Sequence, residues 1–240
     1  MDSIWQQPPQ ELNINSQEVH LWKMNLETSS INIQDAMKIL NEEETIKAQK
    51  FRFEKHQKRF IVARSTLKHI LSHYLGISPE KIAFQYGSHG KPKLVDKMNT
   101  IQLEFNLSHS EELAIYGITC HHLIGVDVEY LRPMPDAEKL AKRFFCHQEF
   151  EKINSLSIIH KNTEFFKLWT AKEAYLKATG KGISGGLDKV EISTDEPRKF
   201  INLPQSNKTT WKLLSFVPQT NYLAAMAVQE NNQITHYWQL

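Results

Sequence analysis

An α+β fold follows from two features of this chain. Apolar residues alternate with period two in some stretches and recur every three or four positions in others, the marks of strands and helices. These stretches also come in blocks, strand, helices, strands and then strands, helices, strands, meeting near residue 115. The 240 residues suffice for one large domain or two small ones. The blocks divide them into halves 1–115 and 116–240, with no sequence repeat linking one to the other.

Residues up to about Ser16, rich in Gln, Asn and Pro, read as a poorly ordered lead-in to a strand over Val19–Met24. Isolated apolar residues among polar ones from Asp35 to Ala48 suggest short helices. Phe60, Ala63, Leu67, Leu71 and Tyr74 recur at spacings of three and four, which predicts a helix over Lys55–Leu75 stopped by Gly76. Ser78-Pro79 opens a short turn, Ile82, Phe84 and Tyr86 alternate as a strand, and residues 87–92 form a loop. In the next strand Ile101, Leu103, Phe105 and Leu107 face one way and Gln102, Glu104, Asn106 and Ser108 the other. Strands over Leu113–Ile118 and Leu123–Glu129 are expected to form a hairpin turning at Thr119-Cys120-His121-His122. Helices are predicted over Ala137–Phe145, His147–Asn154 and Thr163–Ala178, the last stopped by Gly180. Four strands follow, over Leu187–Ser193, Trp211–Phe216, Tyr222–Gln229 and Thr235–Gln239.

Composition narrows the function. Lys and Arg total 29 against 27 Asp and Glu, so global charge does not call for nucleic acid or membrane as partner. No run of 18 apolar residues occurs, and Met1-Asp2-Ser3-Ile4-Trp5 lacks a basic region followed by an apolar one, which makes the cytoplasm the expected location. Cys120 and Cys146 are too few for a disulfide framework and read as free thiols.

Several groups of residues can carry chemistry. In Gly125-Val126-Asp127-Val128-Glu129, strand geometry puts Asp127 and Glu129 on one face and the two valines on the other. Adjacent carboxylates repel unless a cation sits between them, so the pair suits a hard divalent ion such as magnesium, although an isolated Asp-x-Glu is more often a solvated strand face. On the predicted helix ending at Ala178, Phe165, Leu168, Trp169 and Leu176 form an apolar stripe, with Glu173 and Lys177 together on its flank. They can reach one ligand jointly or form an ordinary surface ion pair. Lys172 falls inside the stripe and is expected to pair with a carboxylate as a structural salt bridge rather than to act in catalysis. Between Lys47 and Lys68 eight basic residues, Lys47, Lys50, Arg52, Lys55, Lys58, Arg59, Arg64 and Lys68, face only Glu54, either an anion-attracting surface or a solvated helix face. Gly90-Lys91-Pro92 presents a cation on a rigid loop, and Ser108-His109-Ser110 offers hydroxyl and imidazole donors to phosphate oxygens. The stretch 180–186 lacks Walker P-loop spacing, and Cys120-His121-His122 and Cys146-His147 lack the paired spacing of a zinc site.

In order along the chain, Phe105-Asn106-Leu107-Ser108-His109-Ser110, Gly125-Val126-Asp127-Val128-Glu129 and Trp169-Thr170-Ala171-Lys172-Glu173-Ala174 with Lys177 beyond resemble the Sfp-type 4'-phosphopantetheinyl transferase family. The likeness extends more weakly from about Phe51 to Gly182. It implies a monomer of two similar α/β halves related by a pseudo-twofold axis, with coenzyme A in the cleft between them. It further implies that Asp127, Glu129 and Glu173 bind Mg2+, that Arg59, Lys91, Ser108 and His109 hold the nucleotide and its phosphates, and that Lys177 lies beside the pyrophosphate. Where such proteins carry further phosphate-binding lysines ahead of the basic helix, this chain has Glu42-Glu43-Glu44, with Lys47 or Lys50 as substitutes.

The implied reaction is attack of a carrier-protein serine on the phosphorus bearing the pantetheine arm, releasing 3',5'-ADP. Glu173 is the base by resemblance, with a metal-bound water as the other choice, and Lys177 adds positive charge or donates a proton. The implied partner is an apo acyl or peptidyl carrier protein of fatty-acid, polyketide or nonribosomal-peptide synthesis, docking through an acidic helix. Competing readings are a magnesium-dependent phosphohydrolase, which needs no carrier, and a nucleotide- or nucleic-acid-binding module, which leaves the three carboxylates unexplained.

Overall fold

A computed structural model describes residues 4–27, 31–182, 185–204, 210–230 and 233–240. Of the glycine-containing stretch 180–186, Ile183 and Ser184 lie outside the described residues. The fold mixes helices and sheets, in the order β1 (Glu18–Asn25), α1 (Ile33–Ile39), α2 (Glu42–Gln49), α3 (Glu54–Leu75), β2 (Phe84–Tyr86), β3 (Pro92–Leu94), β4 (Leu103–Ser110), β5 (Leu113–Cys120) and β6 (Ile124–Tyr130). There follow α4 (Ala137–Phe144), α5 (His147–Ser155), α6 (Ile158–Thr179), β7 (Glu191–Ile192), β8 (Phe200–Asn202), β9 (Trp211–Phe216), β10 (Tyr222–Gln229) and β11 (Ile234–Gln239). No helix among the described residues is long and apolar enough to cross a membrane.

Two sheets form the centre, one in the order β11-β1-β5-β4 and the other β6-β10-β9. Period-two alternation sorts their side chains into three apolar layers. Trp22, Met24, Ala114, Tyr116, Leu103 and Phe105 meet Val62, Leu67 and Ile70 of α3 on the outer face of the first sheet. Val19, Leu21 and Ile115 meet Val126, Val128, Ala224 and Met226 between the sheets. Ala225 and Ala227 meet Phe165, Leu168 and Ala171 of α6 on the outer face of the second. The result is a helix, sheet, sheet, helix stack in which α3 and α6 cover opposite outer faces.

Gly76 and Gly180 both end their helices in the left-handed conformation, with φ of 64° and 68°. A Cβ on Gly76 would meet nothing within 4 Å, so Gly76→Ala is expected to cost only the backbone term of about 1–2 kcal/mol. Denaturant unfolding would read it as a lower midpoint at unchanged slope.

Four expectations from sequence need correction. The expected hairpin of Leu113–Ile118 and Leu123–Glu129 does not form, because β5 pairs with β1 and β4 while β6 pairs with β10. The turn, with His121 at φ 68°, passes the chain from one sheet to the other. The lead-in is docked, with Gln6 bridged to Trp238 and the Trp5 ring against Phe216 and Tyr237. The run Leu187–Ser193 is mostly a 3-10 turn, Leu187–Lys189, with only Glu191–Ile192 as strand. The last long helix begins at Ile158 rather than Thr163, so its first turn carries the exposed Ile158 and Ile159 and lies ahead of the apolar stripe. As to the two halves, residue 115 falls inside β5, and β11 from the end of the chain pairs in parallel with β1.

Candidate active site

The site grows from the corner where β4 of the first sheet meets β6 of the second. On β4, Leu103 and Phe105 point into the core, so Asn106, Ser108 and Ser110 point the other way, toward β6. No backbone ladder joins these strands. Instead the amides of Val126, Val128 and Tyr130 donate to Asn106 Oδ1, Ser108 Oγ and Ser110 Oγ at 2.9, 3.4 and 3.1 Å. The residues of the Phe105–Ser110 block thereby cap the unpaired edge of β6 with side-chain acceptors.

On β6, Val126 and Val128 face between the sheets, which turns Asp127 and Glu129 toward α6. The same two serines fix these carboxylates, Ser108 Oγ donating to Asp127 Oδ1 and Ser110 Oγ to Glu129 Oε2, both at 3.0 Å. From α6, Lys177 Nζ donates to Asp127 Oδ1 at 2.6 Å and to Ser108 Oγ at 2.9 Å. Glu173, one turn earlier, is 6% exposed. Its carboxyl is pushed up to about 7 by burial and by the charge of Asp127, with Glu129 adding and Lys177 opposing. Glu129 is also raised, by burial and by Asp127, against its contacts to Ser110 and Arg132.

Lys177 alone does not satisfy this cluster of three carboxylates. Asp127 Oδ2 and Glu173 Oε1 are buried without a hydrogen-bond partner among the described residues. A buried, unpaired carboxylate oxygen is costly, and two of them beside mutually repelling charges fit an all-oxygen site for a hard divalent cation. The three carboxylates are not a preformed tight cage, since they are not among the groups whose donor atoms all lie within 4.8 Å of one another.

The other residues singled out in the sequence are placed differently. Arg59 is buried, its Nη2 donating to Glu27 Oε1 at 2.7 Å and its Nη1 to Glu111 Oε2 at 3.1 Å. It lines a groove of about 490 Å³ together with Lys55 and Lys58. His109 is exposed at the rim, in the positive field of Lys177, Arg59 and His56. Lys91 is not extended into solvent, for its ammonium donates to the carbonyls of Ala178 at 2.8 Å and Ile124 at 3.1 Å. Burial pushes its pKa down to about 8. It ties α6 to β6 and borders a cavity of about 110 Å³ that Lys177 also lines. Lys172 forms the expected structural salt bridge, with Glu149 at 2.7 Å, and both side chains are fully buried.

The basic stretch is less basic in space than in sequence. Arg64 and Lys68 are buried against Glu44, 3.7 and 2.7 Å away, and Lys55 pairs with Glu27 and Lys58 with Glu54. Glu44 also closes the capping box of α2 with Asn41, so one of the three consecutive glutamates is an internal counter-ion. Glu54 lies within the stretch, but Glu27 and Glu44 come from outside it, and the local charge count omits them. Arg132, 3.3 Å from Glu129, was not anticipated, though its position three residues further on is a local signal. Glu27 and Glu111 had none.

The 4'-phosphopantetheinyl transferase superfamily model matches residues 123–227, and a 4'-phosphopantetheinyl transferase N-terminal model matches residues 25–120. The chain is 42% identical over 240 residues to 4'-phosphopantetheinyl transferase HetI of Nostoc sp., covering 99% of each chain. It is 40% identical over 178 residues to a putative 4'-phosphopantetheinyl transferase of Synechocystis sp., covering 74% of this chain and 72% of that one. To 4'-phosphopantetheinyl transferase Sfp of Bacillus subtilis it is 26% identical over 172 residues, covering 71% and 74%. With its site carboxylates inside the first matched segment and the β4 serines inside the second, the chain belongs to the 4'-phosphopantetheinyl transferase family.

Proposed function

We propose that this enzyme transfers the 4'-phosphopantetheine moiety of coenzyme A to a serine of an apo acyl or peptidyl carrier protein, releasing 3',5'-ADP. The observation that carries the reading is the convergence of Asp127, Glu129 and Glu173 where β6 meets α6, with Lys177 bonded to Asp127 and one oxygen each of Asp127 and Glu173 left unsatisfied. Asp127, Glu129 and Glu173 would hold Mg2+, which when bound neutralises charge on the pyrophosphate. The chain's own part is to place and to neutralise. Lys177, held by Asp127 and Ser108, sets an ammonium beside the leaving pyrophosphate; His109 offers a donor to the nucleotide phosphates, and Ser108 does so only by releasing the one O–H it gives to Asp127. Arg59 contributes from the wall of the 490 Å³ groove, a size suited to the nucleotide end. Lys91 enters with two of its three N–H donors already committed.

Glu173 is the base in this proposal, because of the site's two buried carboxylates with an unpartnered oxygen it is the one not already holding Lys177, which Asp127 anchors. Glu173→Gln is expected to lower turnover at least about 10²-fold, the scale of a lost general base. Near-normal turnover with unchanged magnesium affinity would move the role to a metal-bound water. The two proposed halves, 1–115 and 116–240, each supply part of the site, Ser108 and His109 from one and the carboxylates and Lys177 from the other. We place the enzyme in the cytoplasm as a monomer.

The direct test incubates the protein with coenzyme A, Mg2+ and an apo carrier, then weighs the carrier. A gain of one phosphopantetheine on a fatty-acid, polyketide or peptide carrier is expected. No gain on any of the three, or release of phosphate without a carrier as a phosphohydrolase would give, overturns the reading.

A further inference from the structure

At the far edge of the first sheet, away from β4, β1 and β11 run parallel with His20 directly opposite His236. Glu18 lies two residues before His20 on the same face of β1. Among the described residues, Glu18, His20 and His236 form the group whose metal-ligating atoms all lie within 4.8 Å of one another. We propose that these three side chains form a binding site for a zinc-class transition-metal ion, distinct from the carboxylate site, that clips β11 to β1.

The geometry supports this in several ways. Glu18 Oε1 and His236 Nε2 stand 3.7 Å apart. That is too long for a hydrogen bond but close to the separation of about 3.3 Å between two ligands bonded tetrahedrally at roughly 2.0–2.1 Å. The ligands are held from behind, as metal ligands usually are. His20 is 3% exposed, and its Nδ1 is 2.7 Å from the Tyr74 hydroxyl; in the tautomer that donates Nδ1–H to that oxygen, beside the Trp22 Nε1–H it already accepts at 3.1 Å, Nε2 carries the lone pair for a metal. Glu18 Oε2 accepts from the Asn15 amide at 3.0 Å, leaving Oε1 for the ion. The His236 ring lies flat against Trp238, with centroids 5.7 Å apart and planes 5° apart. Two imidazoles and one carboxylate favour zinc over magnesium or calcium, and the part-exposed His236 leaves a fourth position to water.

The test is calorimetric titration of chelator-dialysed protein with zinc chloride, repeated on His236→Ala and Glu18→Gln. One zinc per chain is expected, with at least about tenfold weaker binding in each variant. Co2+ in place of zinc should give the visible absorption of a four-coordinate ion in the parent and lose it in His236→Ala. Phosphopantetheinyl transfer by His236→Ala in magnesium should stay at the parent level, because His236 stands on the opposite edge of the sheet from Ser108. Circular dichroism of each metal-free variant would confirm the fold. Zinc bound with unchanged affinity in both variants, as it would be at the Cys120 or Cys146 thiols, overturns the proposal. So does failure of the parent to bind zinc.

Discussion

Asp127→Ala is expected to reduce phosphopantetheinyl transfer by roughly 10³- to 10⁴-fold while leaving the protein folded. Asp127 is the hub of the site. It accepts from Ser108 and Lys177 through Oδ1 and keeps a second buried oxygen without a partner. Its removal therefore takes away together a proposed metal ligand and the anchor of the lysine proposed to sit beside the pyrophosphate. Losing about 4–5.5 kcal/mol of transition-state charge stabilisation at about 1.4 kcal/mol per tenfold gives that range. Stability should respond in the opposite sense, since Asp127 raises the pKa of both Glu129 and Glu173 by like-charge repulsion. Thermal unfolding checks this. Without magnesium the variant should melt at or above the parent, and added magnesium should raise the melting temperature of the parent but not of Asp127→Ala. A variant that melts far below the parent would mean that Asp127 serves the fold.

The carboxylates were legible because their positions obey short-range periodicity. Strand alternation alone sets Asp127 and Glu129 against Val126 and Val128, and helical spacing alone sets Glu173 beside Lys177. Their meeting across the β6–α6 contact is a tertiary fact, and only the family resemblance suggested it. The basic stretch failed for the corresponding reason. Arg64 and Lys68 look like surface charge in a window around α3, but Glu44, which neutralises them, arrives from α2. Lys91 shows a third case, in which loop chemistry indicates a cation but not that two carbonyls, of Ile124 and Ala178, will claim it.

Among the elements, α3 carries a strong three-and-four spacing and β10 a continuous apolar run, and both lie within a residue of their expected bounds. Failures occur where a local pattern has two tertiary outcomes. Residues 119–122 make a tight reversal in either case, and the choice between hairpin and sheet-to-sheet crossing depends on β1 and β10, which claim β5 and β6 from far along the chain. The strands β3 and β8, three residues each, are too short to establish a period. The lead-in escaped because its anchor is Trp5 against β9 and β11, more than two hundred residues away in sequence.

Gly125→Ala should show how tightly the fold and the chemistry are joined. A Cβ at this position would lie 2.0 Å from the Ala174 carbonyl oxygen and 2.3 Å from the Ala178 amide nitrogen, both backbone atoms of α6. A flexible side chain could swing aside, but a helix backbone packed on β10 and on the Phe165 and Leu168 layer cannot move without opening that core. Overpacking of this kind costs about 1–3 kcal/mol and sometimes more, and contact with backbone puts this site at the upper end. The carbonyl in question belongs to the residue after Glu173, and Lys177 precedes the clashing amide. Even a small outward shift of α6 therefore lengthens the 2.6 Å contact between Lys177 and Asp127 and draws Glu173 away from β6. The expected result is a melting temperature several degrees lower together with transfer activity that stays depressed at temperatures where the variant remains folded. If activity per folded molecule instead matched the parent, the close approach of β6 to α6 would serve stability alone, and the site would tolerate a displaced helix.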